Sequence, residues 1–116
     1  MIKIAFFDVD GTLLKLGSKV PSFQTVQTLQ QLQAKILLCM ATGRGYLSVP
    51  HFEGVDFDLW LTFNGSYVRS KDAVISKNPL DADDKRRILH NLKQMHRAAA
   101  ISNEHFIMTN GTDPDL

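Results

Sequence analysis

The chain opens on a short, almost wholly apolar run, residues 2–7, that stops abruptly at Asp8. So short a continuous run predicts a strand covered on both faces, as in a parallel sheet. Residues 8–17 mix Asp, Gly, Thr and Leu and predict a loop. Pro21 and Ser22 then mark a new start, after which Phe23, Val26, Leu29 and Leu32 recur at a spacing of three. That is the pattern of one helix face, with the intervening glutamines toward solvent. Residues 36–40 and 59–63 are two further buried-strand candidates, separated by a loop with Pro50 and Gly54.

Strand, helix, strand, loop, strand is the rhythm of an α/β fold with a Rossmann-like parallel core sheet. In such sheets ligands bind beyond the carboxyl ends of the strands. Asp8, Thr42 and Asn64 each stand at such an end.

After Asn64 the pattern changes. Residues 67–69 and 73–76 predict short antiparallel strands. Residues 81–96 predict a helix, with Asp81, Asp83 and Asp84 suited to its positive N-terminal end and Ile88, Leu92 and Met95 on one face. Residues 98–102 and 105–109 predict a hairpin around Asn103-Glu104. The expected organisation is residues 1–65 as the first part of a core domain and 66–116 as the beginning of a smaller α+β domain.

Composition narrows the function classes. The 116 residues are 44% hydrophobic and 22% charged, with a net charge of +1, which suits an ordinary globular domain and no charge-driven partner. Nucleic-acid binders usually carry a basic stripe, whereas the one tight basic cluster here is Lys85-Arg86-Arg87 on the predicted second helix. No nucleic-acid partner is expected. The single cysteine, Cys39, lies in an apolar run and suits a buried position in a reduced compartment. No signal segment is visible and the apolar runs are far too short to span a bilayer. A cytoplasmic protein without a membrane partner is the expectation.

Chemistry concentrates in Phe7-Asp8-Val9-Asp10-Gly11-Thr12-Leu13-Leu14. A carboxylate at a strand end can attack phosphorus as a nucleophile. Phosphoryl transfer needs a divalent ion between two anions, and magnesium prefers one or two carboxylates with phosphate and water. A second carboxylate two residues on can protonate the leaving oxygen and later activate water. Gly11 gives the loop freedom to bring amides close to phosphate. Taken alone, the two aspartates could equally shape a turn. In Ala41-Thr42-Gly43-Arg44 the hydroxyl suits a phosphate oxygen, and it suits a helix N-cap as well. Arg44 either faces phosphate or pairs with a carboxylate of the fold. Asn64-Gly65 between two strand-like runs is a hairpin signal in its own right.

Together these blocks resemble the first two motifs of the haloacid dehalogenase superfamily of phosphohydrolases, in which D-x-D-G-T follows a buried strand. The resemblance implies that Asp8 is the nucleophile and a magnesium ligand. Asp10 would be the general acid/base and hold the metal through its backbone carbonyl. Gly11, Thr12, Thr42, Gly43 and Arg44 would surround the phosphate. Phe63-Asn64-Gly65-Ser66 resembles the Cof-like branch with a type IIB cap, where the Asn lies near the mouth of the site as a supporting residue. The order of the elements matches a cap inserted after the third strand.

The same resemblance shows what is missing. The superfamily's third motif supplies a lysine and its fourth further metal-binding acids, and no residue here matches either by position. Lys71, Lys77, Lys85 and Lys93 lie in the cap-like block, and Gly111-Thr112-Asp113-Pro114-Asp115 reads as a turn rather than the fourth motif. The expectation is an incomplete, magnesium-dependent phosphatase of small phosphorylated metabolites. A phosphomutase of the same superfamily and a non-catalytic binding module are the alternatives. The apolar first strand, without flanking neighbours, invites pairing with another chain, so the expectation is either self-association or a chain cut from a longer protein.

Overall fold

The computed structural model describes all 116 residues. The chain forms two compact units, Met1–Lys77 and Asn78–Leu116. No helix is long and apolar enough to cross a membrane.

The first unit is a five-stranded sheet in sequential order: β1 (Ile4–Phe7), β2 (Leu37–Ala41), β3 (Leu59–Thr62), β4 (Tyr67–Ser70) and β5 (Val74–Lys77). β1, β2 and β3 run parallel, and β4 and β5 continue the sheet as an antiparallel hairpin. This is the α/β class expected. Asp58 pins the start of the β2–β3 pair, since its carboxylate accepts from Leu38 N at 2.9 Å while its own amide donates to Leu38 O at 2.8 Å.

Helix α1 (Phe23–Leu32) crosses from β1 to β2, capped by Ser22, whose Oγ accepts from Thr25 N at 3.1 Å. Such a cap stabilises a helix by about 1 kcal/mol. Leu29 is fully buried and Val26 and Leu32 pack beside it, but Phe23 is 79% exposed. A strict spacing of three drifts around a 3.6-residue helix. Val26 and Leu32 fall about 60° to either side of Leu29, and Phe23 falls about 120° away.

The core joins Val9, Leu13 and Leu14 from the loop after β1, Leu29, Leu38 and Met40 from β2, and Phe52, Val55 and Phe57. The last three lie in the β2–β3 crossover, which holds a single 3-10 turn, Tyr46–Ser48, and no α-helix. The expectation that β1 is covered on both faces does not hold. Phe7 packs on the core, whereas Ile4, Phe6 and Leu37, aligned by the Ile4↔Leu37 register, are substantially exposed.

The boundary expected after residue 65 falls inside this sheet. β4 pairs along β3 from Leu59↔Ser70 to Thr62↔Tyr67, satisfying the outer edge of β3, and β5 pairs with β4 in turn. Residues 66–77 therefore belong with the first unit.

The second unit holds α2 (Ala82–Gln94) and the hairpin of β6 (Ala100–Ser102) and β7 (Ile107–Thr109). Asp81 caps α2 by accepting from Asp84 N at 2.8 Å. The hairpin turns on Asn103, whose Oδ1 accepts from the amides of His105 and Phe106. Asp113 accepts from Arg97 Nε at 2.6 Å and Nη2 at 2.8 Å, and these bonds hold its carboxyl down at a pKa of about 2. Because the folded value lies below the ordinary 3.8, the pair contributes stability above about pH 4 and loses it as pH falls toward 2. An NMR titration should find Asp113 half-protonated near pH 2, and Arg97→Ala should return it toward 3.8.

Candidate active site

Parallel pairing sets the geometry here. Phe7 is in register with Met40, and Met40 with Trp60, so the three strands end side by side. The residues just beyond those ends, Asp8, Thr42 and Asn64, line one open cleft of about 330 Å³ with Ala41, Gly43, Leu61 and Gly65.

The loop after β1 is held by a set of backbone bonds and by its apolar residues. Leu13 N donates to Asp8 O, Leu14 N to Val9 O and Gly11 N to Leu14 O at 2.7 Å. Val9, Leu13 and Leu14 plug into the core while Asp8, Asp10, Gly11 and Thr12 stay exposed. Gly11 adopts φ +84, a conformation that favours glycine. The Asp8 carboxylate is steadied by its neighbour's amide, with Val9 N donating to Oδ1 at 2.9 Å.

Thr42 is buried, and its Oγ1 accepts from Arg44 N at 3.1 Å. A hydroxyl that accepts in this way still has its own proton to donate. No α-helix follows it, so Thr42 closes a two-residue turn rather than capping a helix.

The β3–β4 turn is the most strained piece of backbone in the first unit. Phe63 and Asn64 have φ +51 and +55, followed by Gly65 at +88. Left-handed non-glycine residues cost of order 1–3 kcal/mol each, least for Asn. Two bonds hold the turn against the second motif: Phe63 N donates to Arg44 O at 2.9 Å and Asn64 N to Thr42 O at 3.1 Å. Two glycines make room for it. A Cβ on Gly43 would stand 3.0 Å from Asn64 Oδ1, and one on Gly45 would stand 2.9 Å from the Phe63 ring.

Other expected residues lie elsewhere. Arg44 faces Asp10 rather than the cleft, its Nε donating to Asp10 Oδ2 at 2.9 Å and its Nη2 to Oδ1 at 2.7 Å. Its Nη1 donates to Ser48 O at 2.9 Å. Of the two readings open to Arg44, the structure takes the carboxylate pair. That guanidinium holds the Asp10 carboxyl below its ordinary pKa. Gly11 and Thr12 do not line the cleft, and the Gly11 amide is committed to Leu14. Sequence reasoning missed Gly45 and Phe63. A second glycine two residues after Gly43 was the signal available for the first; nothing local marks the backbone of the second.

Against this geometry, the sequence pattern of the haloacid dehalogenase-like hydrolases matches residues 5–114. The chain belongs to that family. It is 33% identical over 124 residues to the HMP-PP phosphatase of Enterobacter sp. (strain 638), covering all of this chain and 44% of that protein. Its fold matches the phosphatase BT1666 of Bacteroides thetaiotaomicron with a TM-score of 0.80 and 28% identity, over 98% of this chain and 43% of that one. The subclass IIB sugar phosphatase BT4131 shares the fold at a TM-score of 0.77 and 23% identity, over 92% and 43%. The resemblance to the haloacid dehalogenase superfamily is thus borne out. The chain spans less than half the length of each of these proteins.

Haloacid dehalogenase-like enzymes generally use magnesium, and the donors in this chain can be compared with that need. Asp8 is the one acidic side chain lining the cleft, the Asp10 carboxylate is held by Arg44, and no three His, Cys, Asp or Glu side chains are grouped to hold a metal. By themselves these residues do not make a magnesium site.

Gly45→Ala should drive a methyl group into the Phe63 ring and destabilise the first unit by about 1–3 kcal/mol in urea unfolding. Phe63→Leu in the same chain should recover part of that loss, a coupling expected of residues in direct contact.

Proposed function

We propose that this chain carries the nucleophile half of a phosphatase site for small phosphorylated metabolites, acting through an aspartyl-phosphate on Asp8. The observation that carries the reading is the shared cleft, in which the exposed Asp8 carboxylate and the Thr42 hydroxyl flank one open space at the ends of adjacent parallel strands.

An Asp8 oxygen would attack phosphorus while the bond from phosphorus to the substrate's ester oxygen breaks. Thr42 Oγ1 would donate its proton to a non-bridging phosphate oxygen. Water would then hydrolyse the acyl phosphate, restoring the carboxylate and releasing inorganic phosphate. Asp10, two residues on, would give a proton to the leaving oxygen and take one from the water. In the present geometry it is an anion paired with Arg44, a form suited to the second of these tasks. The first requires its carboxyl to leave that pair.

Charge argues that these 116 residues are insufficient alone. No cationic side chain lines the cleft, so nothing in it offsets the repulsion between Asp8 and a phosphate dianion. The complete activity calls for a cationic side chain and acidic metal ligands that this chain does not bring to the cleft. On this reading the second unit would be the start of a cap. Asp113, the nearest in pattern to a fourth-motif acid, is instead held by Arg97.

Two outcomes follow. Incubated with acetyl phosphate and magnesium, the chain should gain one phosphoryl group, absent in Asp8→Asn, on intact-mass analysis. It should nonetheless show little steady-state turnover of a generic phosphate ester. Unlabelled wild type, or a label that persists in Asp8→Asn, would refute the nucleophile assignment; robust turnover would refute the insufficiency.

The exposed side of β1 carries a second expectation. β1 is a terminal strand of the sheet, and Ile2, Ile4, Phe6 and Leu37 are 75%, 40%, 55% and 51% exposed. An apolar edge of this kind invites pairing. Light scattering should show concentration-dependent dimers that weaken in Phe6→Lys, and a clean monomer at high concentration would contradict this.

A further inference from the structure

Three features converge on Asn64 beyond its place at a strand end. Its backbone is left-handed, as is that of the bulky Phe63 before it, and both are held there by the bonds to Arg44 O and Thr42 O. Strain maintained in this way concentrates at binding and catalytic sites. Its carboxamide lies over residue 43, with Oδ1 standing 3.0 Å from where a Cβ would be, a tight contact that glycine avoids. The carboxamide also makes no hydrogen bond inside the protein, although it lines the same cleft as Asp8 and Thr42. A hairpin needs none of this. An Asn-Gly turn serves its strands without being tied to a neighbouring loop or having a glycine cleared beneath it.

We propose that Asn64 is a phosphate-binding residue, its Nδ2 donating to an oxygen of the phosphoryl group seated between Asp8 and Thr42. The inference rests on the phosphatase reading of that cleft. A carboxamide has two N–H donors and no charge. It can therefore grip an anionic oxygen without altering the charge of Asp8, and a hydrogen bond to a charged acceptor is stronger than a neutral one. The bond from Asn64 N to Thr42 O ties the backbones that carry the two donors to each other.

The test uses the 116-residue chain, isotopically labelled and titrated with inorganic phosphate by NMR. The Asn64 side-chain N–H₂ signals should shift with the same dissociation constant as the Gly43 amide. Asn64→Ala should weaken phosphate about tenfold, as expected for loss of a hydrogen bond to a charged group. Asn64→Gly separates binding from folding. It relaxes the left-handed backbone, so the melting temperature should hold or rise while phosphate binds as weakly as to Asn64→Ala. A purely structural Asn64 would give the reverse, a changed melting temperature with binding kept. If phosphate binds and Thr42→Val weakens it but Asn64→Ala does not, the Asn64 proposal fails alone. If phosphate does not bind the wild-type chain while acetyl phosphate still labels Asp8, the Asn64 proposal fails and the phosphatase reading stands; if neither occurs, both fail.

Discussion

The register of three parallel strands is the constraint on which the cleft depends. Because β1, β2 and β3 run the same way and end at neighbouring levels, the residues that follow them emerge on one side of the sheet. A one-residue slip would turn each following side chain to the opposite face. The register is fixed by Asp58 bonding Leu38 at the start of β2 and by Leu38 and Met40 buried on the core side. Stability and function thus share a cause, since the packing that secures β2 also aims Thr42.

Each loop at the cleft is then fastened by a different device. The loop after β1 is anchored by the apolar plugs Val9, Leu13 and Leu14. The loop after β2 is tied to it by the two-pronged Arg44–Asp10 pair. The β3–β4 turn is tied to the second loop through backbone bonds and tolerates two left-handed residues to keep that contact. These fastenings run from the third loop to the first and leave the Asp8 carboxylate exposed between them. Such a rigid surround suits chemistry that depends on placing a nucleophile against one atom.

Much of this was legible in the residues because the signals were local. An apolar run ended by Asp8, a Thr-Gly pair after a second run and an Asn-Gly after a third predict three strand ends, and parallel pairing joins them. Other features depend on contacts far apart in sequence. Nothing local tells Arg44 to choose Asp10, 34 positions away. Gly11 looks like a phosphate-facing glycine, yet its amide closes the loop on Leu14. The boundary misplaced at residue 65 has the same origin: an Asn-Gly followed by short strands looks alike whether they begin a new unit or finish the old sheet, and only pairing with β3 decides. Phe23 was misassigned by periodicity itself, since a repeat of three is not the repeat of a helix.

The most direct measurement is a crystal of this chain soaked with magnesium and beryllofluoride, which mimics a phosphoryl group on a carboxylate. The account predicts density continuous with an Asp8 carboxylate oxygen and a fluoride within hydrogen-bond reach of Thr42 Oγ1. An adduct on Asp10, or an Asp8 carboxylate left bare beside an occupied cleft, would contradict it.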